Sequence, residues 1–321
     1  MKILVTGGAG YIGSALVEKL INQGHEVNVL DDLSNGFIQN INPKANFIQG
    51  SILSNPNLDT AIKNVDVVYH LAAKISVEES ESIPEIYDQV NIQGSIKLLE
   101  ACQKEGVNKF VFASTAAVYG NLDNMPITEK SRVNPENNYG LTKLKIDEFL
   151  SRNAKQMGIS ALSFRFFNVA GAVQNKKGGW LRVKHKDATH LIPRIIQNKP
   201  EAKLTIYGND WPTPDGTPIR DYIHLSDLTE CLINVLSFDL LPGHDIINLG
   251  SGKGYTVKEV IKIAERTLGR RIVYQFADRR KGDSAALVAS NEKAKKVIGW
   301  KPSKSLSDIL FDSYQEYLSN Q

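Results

Sequence analysis

Tyr139 and Lys143, in Tyr139-Gly-Leu-Thr-Lys143, stand four residues apart. On a helix they share one face, so the lysine can hold its ammonium near the phenol. A free tyrosine has a pKa near 10, and bringing it to ~7 requires about 4 kcal/mol of preference for the phenolate. A neighbouring ammonium supplies up to ~4 kcal/mol at an effective dielectric near 20, so the pair is able to make a general base. Upstream, an apolar run ends in Ala113-Ser114-Thr115, and the Thr115 hydroxyl would align a substrate hydroxyl for proton removal by Tyr139. Alone, the same spacing also describes a half-exposed aromatic beside a solvated lysine, so its meaning depends on what else the chain carries.

The deciding companion is Gly7-Gly8-Ala9-Gly10-Tyr11-Ile12-Gly13, placed directly after an apolar strand and opening a helical pattern. Backbone without Cβ at such a turn lets a pyrophosphate approach the amides of a helix N-terminus. The next strand ends in Asp31-Asp32, 18 residues beyond Gly13, close to the ~20 at which an acid accepts the adenosine ribose hydroxyls. Asp31, with no Arg before Arg132, favours NAD over NADP, because a carboxylate repels a 2′-phosphate. With a nicotinamide in place, Tyr139 would take the hydroxyl proton while hydride leaves the carbon bearing that hydroxyl for the ring. The oxidised ring adds a second positive charge beside the phenol.

These residues need a scaffold, and the sequence describes one. Short apolar runs at Lys2–Thr6, Glu26–Leu30, Asn46–Gln49, Asp66–Leu71, Lys109–Ala113 and Ser160–Phe166 alternate with amphipathic stretches, notably Tyr11–Gln23, Pro84–Glu105 and Glu136–Met157. Parallel strands need crossovers of that length, so the pattern predicts a doubly wound parallel sheet in an α/β protein. Beyond Phe166 the alternation breaks. Gly171 to Lys186 is rich in Gly and Lys, and Asn209 to Asp221 holds three prolines, so loops are expected there. Regular elements return as a strand at Ile246–Leu249, a helix opened by the capping box Thr256-Val-Lys-Glu259, a strand at Arg271–Gln275 and a last helix from about Ser305. A dinucleotide-binding domain over 1–167 and a smaller α/β substrate lobe over 168–321 are expected, with the chain free to cross back.

Composition narrows the functions. The 321 residues carry 38 Lys plus Arg against 35 Asp plus Glu, a net charge of +3. That is far from the basic excess of nucleic-acid binders, while a small anionic ligand remains compatible. Two cysteines, Cys102 and Cys231, lack CxxC or Cys/His neighbours, and six histidines show no metal-ligand spacing, so neither a disulfide framework nor a metal site is expected. No apolar run approaches the ~18 residues of a membrane span, and glycines interrupt the amino-terminal run before a secretory segment is complete. A cytoplasmic enzyme is the expectation.

Gly7–Gly13 with Tyr139 and Lys143 resemble the extended short-chain dehydrogenase/reductase family, whose nucleotide-binding half is a Rossmann fold. Within it the sequence is similar to the UDP-glucose (UDP-galactose) 4-epimerases. Asp31-Asp-Leu-Ser-Asn-Gly36, Ser114-Thr-Ala-Ala-Val-Tyr-Gly120, Phe164-Arg-Phe-Phe-Asn-Val-Ala-Gly-Ala172, Thr189-His-Leu-Ile-Pro193, Pro212-Thr-Pro-Asp-Gly-Thr217, Arg220-Asp-Tyr-Ile-His224 and Arg279-Arg-Lys-Gly-Asp283 carry that similarity in family order. It implies NAD-dependent 4-epimerisation of a UDP-hexose. It places Gly7, Gly10, Tyr11, Ile12, Gly13, Asp31, Asp32, Leu33, Ser34, Asn35, Gly36, Leu71, Ala72, Ala73, Asn91, Ser114 and Phe167 along the NAD site with Tyr139 and Lys143. It places Asn168, His190 and Leu191 near sugar and phosphates, Thr205 and Tyr207 near the uracil, Arg220 and Arg280 on the diphosphate, and Tyr222 and Asp283 beside them. Leu287 stands where side-chain size controls entry of an N-acetylated sugar. Family members usually pair through the 84–105 and 136–157 helices, so a homodimer is expected.

Departures from the family pattern are specific. Ser51 stands where an Asp usually contacts adenine, followed by Ile52; Asp32 replaces a common Asn; and Ile75 replaces a Lys of some members. Lys176 to Lys186, including Trp180, His185 and Lys186, replaces a more acidic loop, either as a solvated segment or as one facing phosphate. Related 4,6-dehydratases need an Asp-Glu pair after the strand-five Thr, and decarboxylases commonly place a Glu there. Here Ala116 and Ala117 stand at those positions. Without a second acid or base, reversible oxidation at C4 is the simplest outcome. UDP-N-acetylglucosamine and UDP-glucuronate remain alternative substrates, and an NAD-binding regulator without chemistry is the alternative outside enzymes.

Overall fold

The computed structural model describes residues 1–183, 189–199, 201–238, 241–280 and 282–321, so the His185-Lys186 end of the basic segment and Lys281 lie outside it. The chain forms two compact units: 1–118, 135–165 and 232–247 make the first, and 119–134, 166–231 and 248–321 the second. Segments 119–134 and 232–247 therefore belong to the opposite unit from the one their sequence position suggests. No helix among the described residues is long and apolar enough to cross a membrane.

In the first unit strands and helices alternate as β1 (Lys2–Thr6), α1 (Tyr11–Asn22), β2 (Glu26–Asp31), β3 (Asn46–Gln49), α2 (Asn55–Ile62), β4 (Val67–His70), α3 (Val77–Ser82), α4 (Pro84–Tyr87), α5 (Gly94–Glu105), β5 (Lys109–Thr115), α6 (Asn138–Asn153) and β6 (Ser160–Phe166). The sheet runs β3-β2-β1-β4-β5-β6, completed by a strand at Gly243–Leu249, which is β10 in chain order. Strand β1 pairs in parallel with both β2 and β4, which puts the switch of winding direction between β1 and β4. In open sheets of this kind ligands bind outside the carboxyl ends of the strands at that switch. Near-continuous burial along β1, β4 and β6 fits a sheet covered on both faces. Leu58, Leu98, Leu99, Phe110, Phe112, Ile146 and Leu150 pack helices α2, α5 and α6 against it.

The 84–105 stretch is not one helix. A π-helical segment at Asp88–Gln93 separates α4 from α5. The wider turn rotates Asn91 inward, where it is 2% exposed and its amide is held by the Lys74 backbone. An internal hydrogen-bonding demand thus broke an otherwise regular amphipathic pattern.

The second unit contains β7 (Asn168–Ala170), α7 (Leu191–Gln197), β8 (Leu204–Tyr207), β9 (Ile219–His224), α8 (Leu225–Asn234, which enters the first unit at Leu232), β11 (Gly254–Thr256), α9 (Val257–Leu268), β12 (Tyr274–Ala277), β13 (Ala286–Leu287), α10 (Glu292–Ile298) and α11 (Leu306–Ser319). The expected capping box of Thr256 with Glu259 forms on α9, and α11 starts after Ser305 as expected, where the structure adds a second box between Ser305 and Asp308. Strand β12 begins at Tyr274 rather than Arg271, because its parallel register with β8 starts at Tyr274 opposite Leu204. The proline-rich segment also ends sooner than expected: from Ile219 it is strand, carrying β7, β11 and β13 as neighbours.

Candidate active site

The loop after β1 is built for close approach. Gly7 has φ +73°, and a Cβ there would lie 2.7 Å from the Ala72 backbone nitrogen, so any other residue would push β1 away from the exit of β4. That exit, Leu71–Ala73, is tied to β1 by Leu71 N–H on Thr6 O (3.1 Å) and Ala72 N–H on Thr6 Oγ1 (3.3 Å). Helix α1 starts from Gly10 with no side-chain cap and no acid in its first turn, where Tyr11, Ile12 and Gly13 lie. Its leading amides present a positive end suited to a pyrophosphate. At the end of β2, Asp31 accepts from Ala9 N–H (2.9 Å) and Leu33 N–H (2.8 Å). Burial raises its pKa, and these two donors pull it back. The carboxylate therefore organises the loop and still has lone pairs for ribose hydroxyls. Asp32 accepts from Ser34 N–H (2.9 Å), and Phe37 N–H on Ala9 O (3.0 Å) draws the Leu33–Gly36 segment, with Ser34 and Asn35, to the glycine loop. The donor set and the cradle fit a dinucleotide.

Several residues assigned to the cofactor have other occupations. The Ser51 hydroxyl accepts from Leu53 N–H (3.2 Å) in a local turn, and Ile52 is a core residue. Asn91 accepts from Lys74 N–H (2.8 Å) and donates to Lys74 O (3.0 Å) and Thr142 Oγ1 (3.1 Å), which makes it a brace between the β4 exit and α6. Successive residues of a strand face opposite ways. Ser114 accordingly turns inward and donates to Asp147 Oδ2 (3.0 Å), whereas Thr115 hydrogen-bonds the Tyr139 phenol. Phe167, in the second unit, is buried with its N–H on Leu249 O (2.9 Å).

Helix α6 delivers the acid–base pair. Its start is fixed by Asn137, whose side chain accepts from Gly140 N–H (2.8 Å), and by α3, where Ser80 Oγ accepts from Tyr139 N–H (3.1 Å). Gly140 lies so close to the end of β5 that a Cβ would come 2.8 Å from Ala117 O, and that approach brings Tyr139 to Thr115. One turn on, Lys143 is 3% exposed, donates to Ala113 O (2.8 Å) and lies 4.8 Å from the centre of the Phe112 ring.

The charge states differ from the sequence expectation. Burial pushes the Tyr139 phenol up to about 12, only partly offset by its Thr115 hydrogen bond, instead of down toward neutrality. Burial also lowers Lys143 to about 8, against the favourable charge of Asp147. Desolvation penalises the charged form of each group, and for the phenol it outweighs the Thr115 hydrogen bond.

In the second unit the predicted nucleotide-sugar residues gather around two strands. On β8, Leu204 and Ile206 enter the core, so Thr205 and Tyr207 share the opposite face. The Arg280 guanidinium stacks 3.8 Å from the Tyr207 ring centre, and Arg194 lies 5.6 Å from it. Hydrogen bonds from Arg280, opposed by slight burial, then both guanidinium charges and a hydrogen bond from Arg194, lower the Tyr207 pKa. His190 and Leu191 stand at the start of α7, in the turn that precedes Arg194. On β9, Tyr222 is opposite Asn168 and hydrogen-bonded to its side chain, while Arg220 is opposite Leu287. Arg220 Nη1 donates to Ile219 O and Ser284 O, both at 2.9 Å, and Nη2 lies 3.7 Å from Asp283. Arg220 is thus largely committed to its own fold, whereas Arg280 is exposed and stacked on an aromatic face. Among the described residues no group of three or more His, Cys, Asp and Glu side chains could hold a metal ion.

Residues 3–250 match the NAD dependent epimerase/dehydratase family. The chain belongs to that family. It is 41% identical to a UDP-glucose 4-epimerase of Corynebacterium glutamicum over 98% of this chain and 95% of that one. Among solved structures, it is similar to a UDP-glucose 4-epimerase from Stenotrophomonas maltophila with bound NAD and formylated UDP-arabinopyranose. That likeness has 35% identity and a TM-score of 0.93, covering 100% of this chain and 98% of that one. A UDP-glucose 4-epimerase from Thermotoga maritima with UDP-glucose is 30% identical, with a TM-score of 0.89, over 100% and 99% of the two chains.

The family resemblance in the sequence did not single out three groups that the structure brings forward. Asp147 and Arg165 form a buried ion pair (3.0 Å) behind Lys143. His70, at the end of β4, bridges Thr6 (2.8 Å) and Ser95 (2.7 Å). Arg194 joins Arg280 at Tyr207. An arginine in the middle of the apolar run Leu162-Ser-Phe-Arg-Phe166 was the available signal for the first.

Proposed function

We propose that this chain catalyses NAD-dependent 4-epimerisation of a UDP-hexose, interconverting UDP-glucose and UDP-galactose. The observation that carries this reading is the Thr115–Tyr139 hydrogen bond beside buried Lys143, with Ala116 and Ala117 where a second acid or base would have to stand. Similarity over the full chain to UDP-glucose 4-epimerases supports it. When bound, NAD supplies the acceptor and later the donor of hydride at C4, together with a positive ring that favours the phenolate.

The chain's own residues do the rest. Thr115 holds the 4-hydroxyl in line, Tyr139 removes its proton, and Lys143 stabilises the phenolate charge. After the 4-keto sugar turns over, Tyr139 returns the proton and the opposite configuration results, with no net redox change. Binding energy must then reside mainly in the nucleotide, so that the hexose can present either face. Arg280, Tyr207 and Thr205 provide that grip, with Asn168 and Tyr222 alongside. Exposed Ile86 on α4 and Leu141 on α6 support a homodimer formed through these helices.

A coupled assay tests the reading: UDP-galactose should be converted to UDP-glucose without stoichiometric consumption of NAD. Absence of conversion by protein that retains NAD would refute it. Running UDP-N-acetylglucosamine in parallel measures how far Leu287 restricts the sugar, and at least tenfold lower kcat/KM is expected for the acetamido substrate.

A further inference from the structure

Helix α6 carries Tyr139, Lys143 and Asp147 at successive four-residue steps, on one face. Asp147 is 2% exposed, and its Oδ2 atom accepts from Ser114 Oγ (3.0 Å), Arg165 Nε (3.1 Å) and Arg165 Nη2 (3.0 Å). Its Oδ1 atom is equally buried and has no hydrogen-bond partner among the described residues. A pair serving only to neutralise Arg165 would be expected to engage both oxygens, one against each guanidinium nitrogen. Here both nitrogens converge on one oxygen, and the other remains as negative charge in an interior where screening is weak.

The groups bearing on Lys143 come from four elements. From α6 come Asp147 and Tyr139. From β5 come the Phe112 ring and the Ala113 carbonyl. From β4 comes His70, held neutral because burial, with the Lys143 charge, lowers it to about 3. From β6 comes Arg165, through Asp147. Among these, the Asp147 carboxylate is the full negative charge that acts on the ammonium.

We propose that Asp147 is a positioning residue for the acid–base step: clamped by Arg165 and Ser114, it keeps Lys143 charged and thereby keeps the positive field that Tyr139 needs. The inference rests on the reading of Tyr139 and Lys143 given above. Charged Lys143 with Tyr139 phenolate holds one proton, as does neutral Lys143 with Tyr139 phenol. A negative group one turn from the lysine and two turns from the tyrosine favours the first arrangement over the second at every pH. Removing that group depopulates the reactive form and makes Lys143 lose its proton at lower pH.

The test is the pH dependence of kcat for NAD-loaded enzyme. Asp147→Asn should lower the plateau about tenfold and move the alkaline limb down by about one pH unit, whereas Asp147→Glu should restore both. Arg165→Met, which removes the competing cation and retains the carboxylate, should move the limb upward. Opposite displacements cannot come from destabilisation alone, since both substitutions break the same buried pair. Limbs left in place while both melting temperatures fall would overturn the inference and leave the pair a structural one. Should Asp147→Asn fail to fold, Arg165→Met decides by itself: an upward displacement upholds the inference, and none rejects it. A Tyr139→Phe control separates the two levels. If it turns over normally, the acid–base reading fails too; if it is dead and the limbs are unmoved, only the role of Asp147 fails.

Discussion

The first unit keeps its chemistry dry, and the second keeps its grip wet. Lys143, Asp147, Arg165 and His70 are each at most 3% exposed and held by hydrogen bonds or ion pairs, Lys143 to Ala113 on β5, Asp147 to Arg165 on β6, and His70 to Thr6 on β1 and Ser95 on α5. Arg280 and Arg279 are exposed and stacked on Tyr207 and Trp211, at 3.8 and 4.2 Å from the ring centres. Burial moves charge states by units and makes each partner's removal costly to the fold. Exposed guanidinium groups on aromatic faces lower the pKa of Tyr207 through hydrogen bonds and charge rather than through burial, and they present donors to phosphate at little cost in stability. Proton transfer needs tuned groups, and holding a flexible nucleotide needs adaptable ones, so the contrast follows the division of tasks.

Substitutions can break that contrast or sharpen it. The largest effect is expected from Tyr139→Phe, which should reduce kcat about 10³-fold while NAD content stays intact. Epimerisation at the wild-type rate would remove Tyr139 from the mechanism. Next comes Gly7→Ala. With φ at +73° and backbone of Ala72 in the way, it should cost about 3 kcal/mol in urea denaturation and release NAD, as judged by bound-cofactor absorbance. A fully stable, NAD-loaded variant would contradict the close approach.

A smaller effect concerns His70, whose pKa burial, aided by the Lys143 charge, lowers from 6.5 to about 3. The unfolded chain takes up this proton below about pH 6.5 while the folded chain does not. Its contribution is therefore complete above pH 6.5 and falls as pH drops toward 3. Between pH 7 and 5 wild type should lose about 2 kcal/mol that a His70→Asn variant does not, as read from denaturation midpoints. The smallest change in the fold belongs to Arg280→Ala, for which KM should rise about tenfold with the melting temperature unmoved. A clear drop in melting temperature would place Arg280 with the buried group and weaken the contrast.

How much could be read beforehand depended on locality. The glycine loop, the Asp31 strand end, the Tyr139/Lys143 spacing, the Thr256–Glu259 capping box and the start of the last helix at Ser305 are determined within a few residues, and the structure places them in their expected elements. The break in the 84–105 helix was not legible, because it answers a demand made by Lys74 and Thr142, remote in sequence from Asn91. Likewise the sequence put Thr115 at the reaction and Ser114 on the cofactor, and only the strand's facing turns Ser114 away to Asp147 while Thr115 meets Tyr139. Arg220 and Arg280 look alike as well, until Ile219, Ser284 and Asp283 are seen to occupy the first.

The sequence by itself determined which side chains are present, their periodicity, and hence the winding of the sheet and the pairing of a phenol with an amine on one helix. Only the tertiary structure decided how those groups are charged, because a pKa is set by the water excluded and the charges enclosed around a group. Those surroundings are assembled from β4, β5, α6 and β6, segments that meet only when the chain has folded.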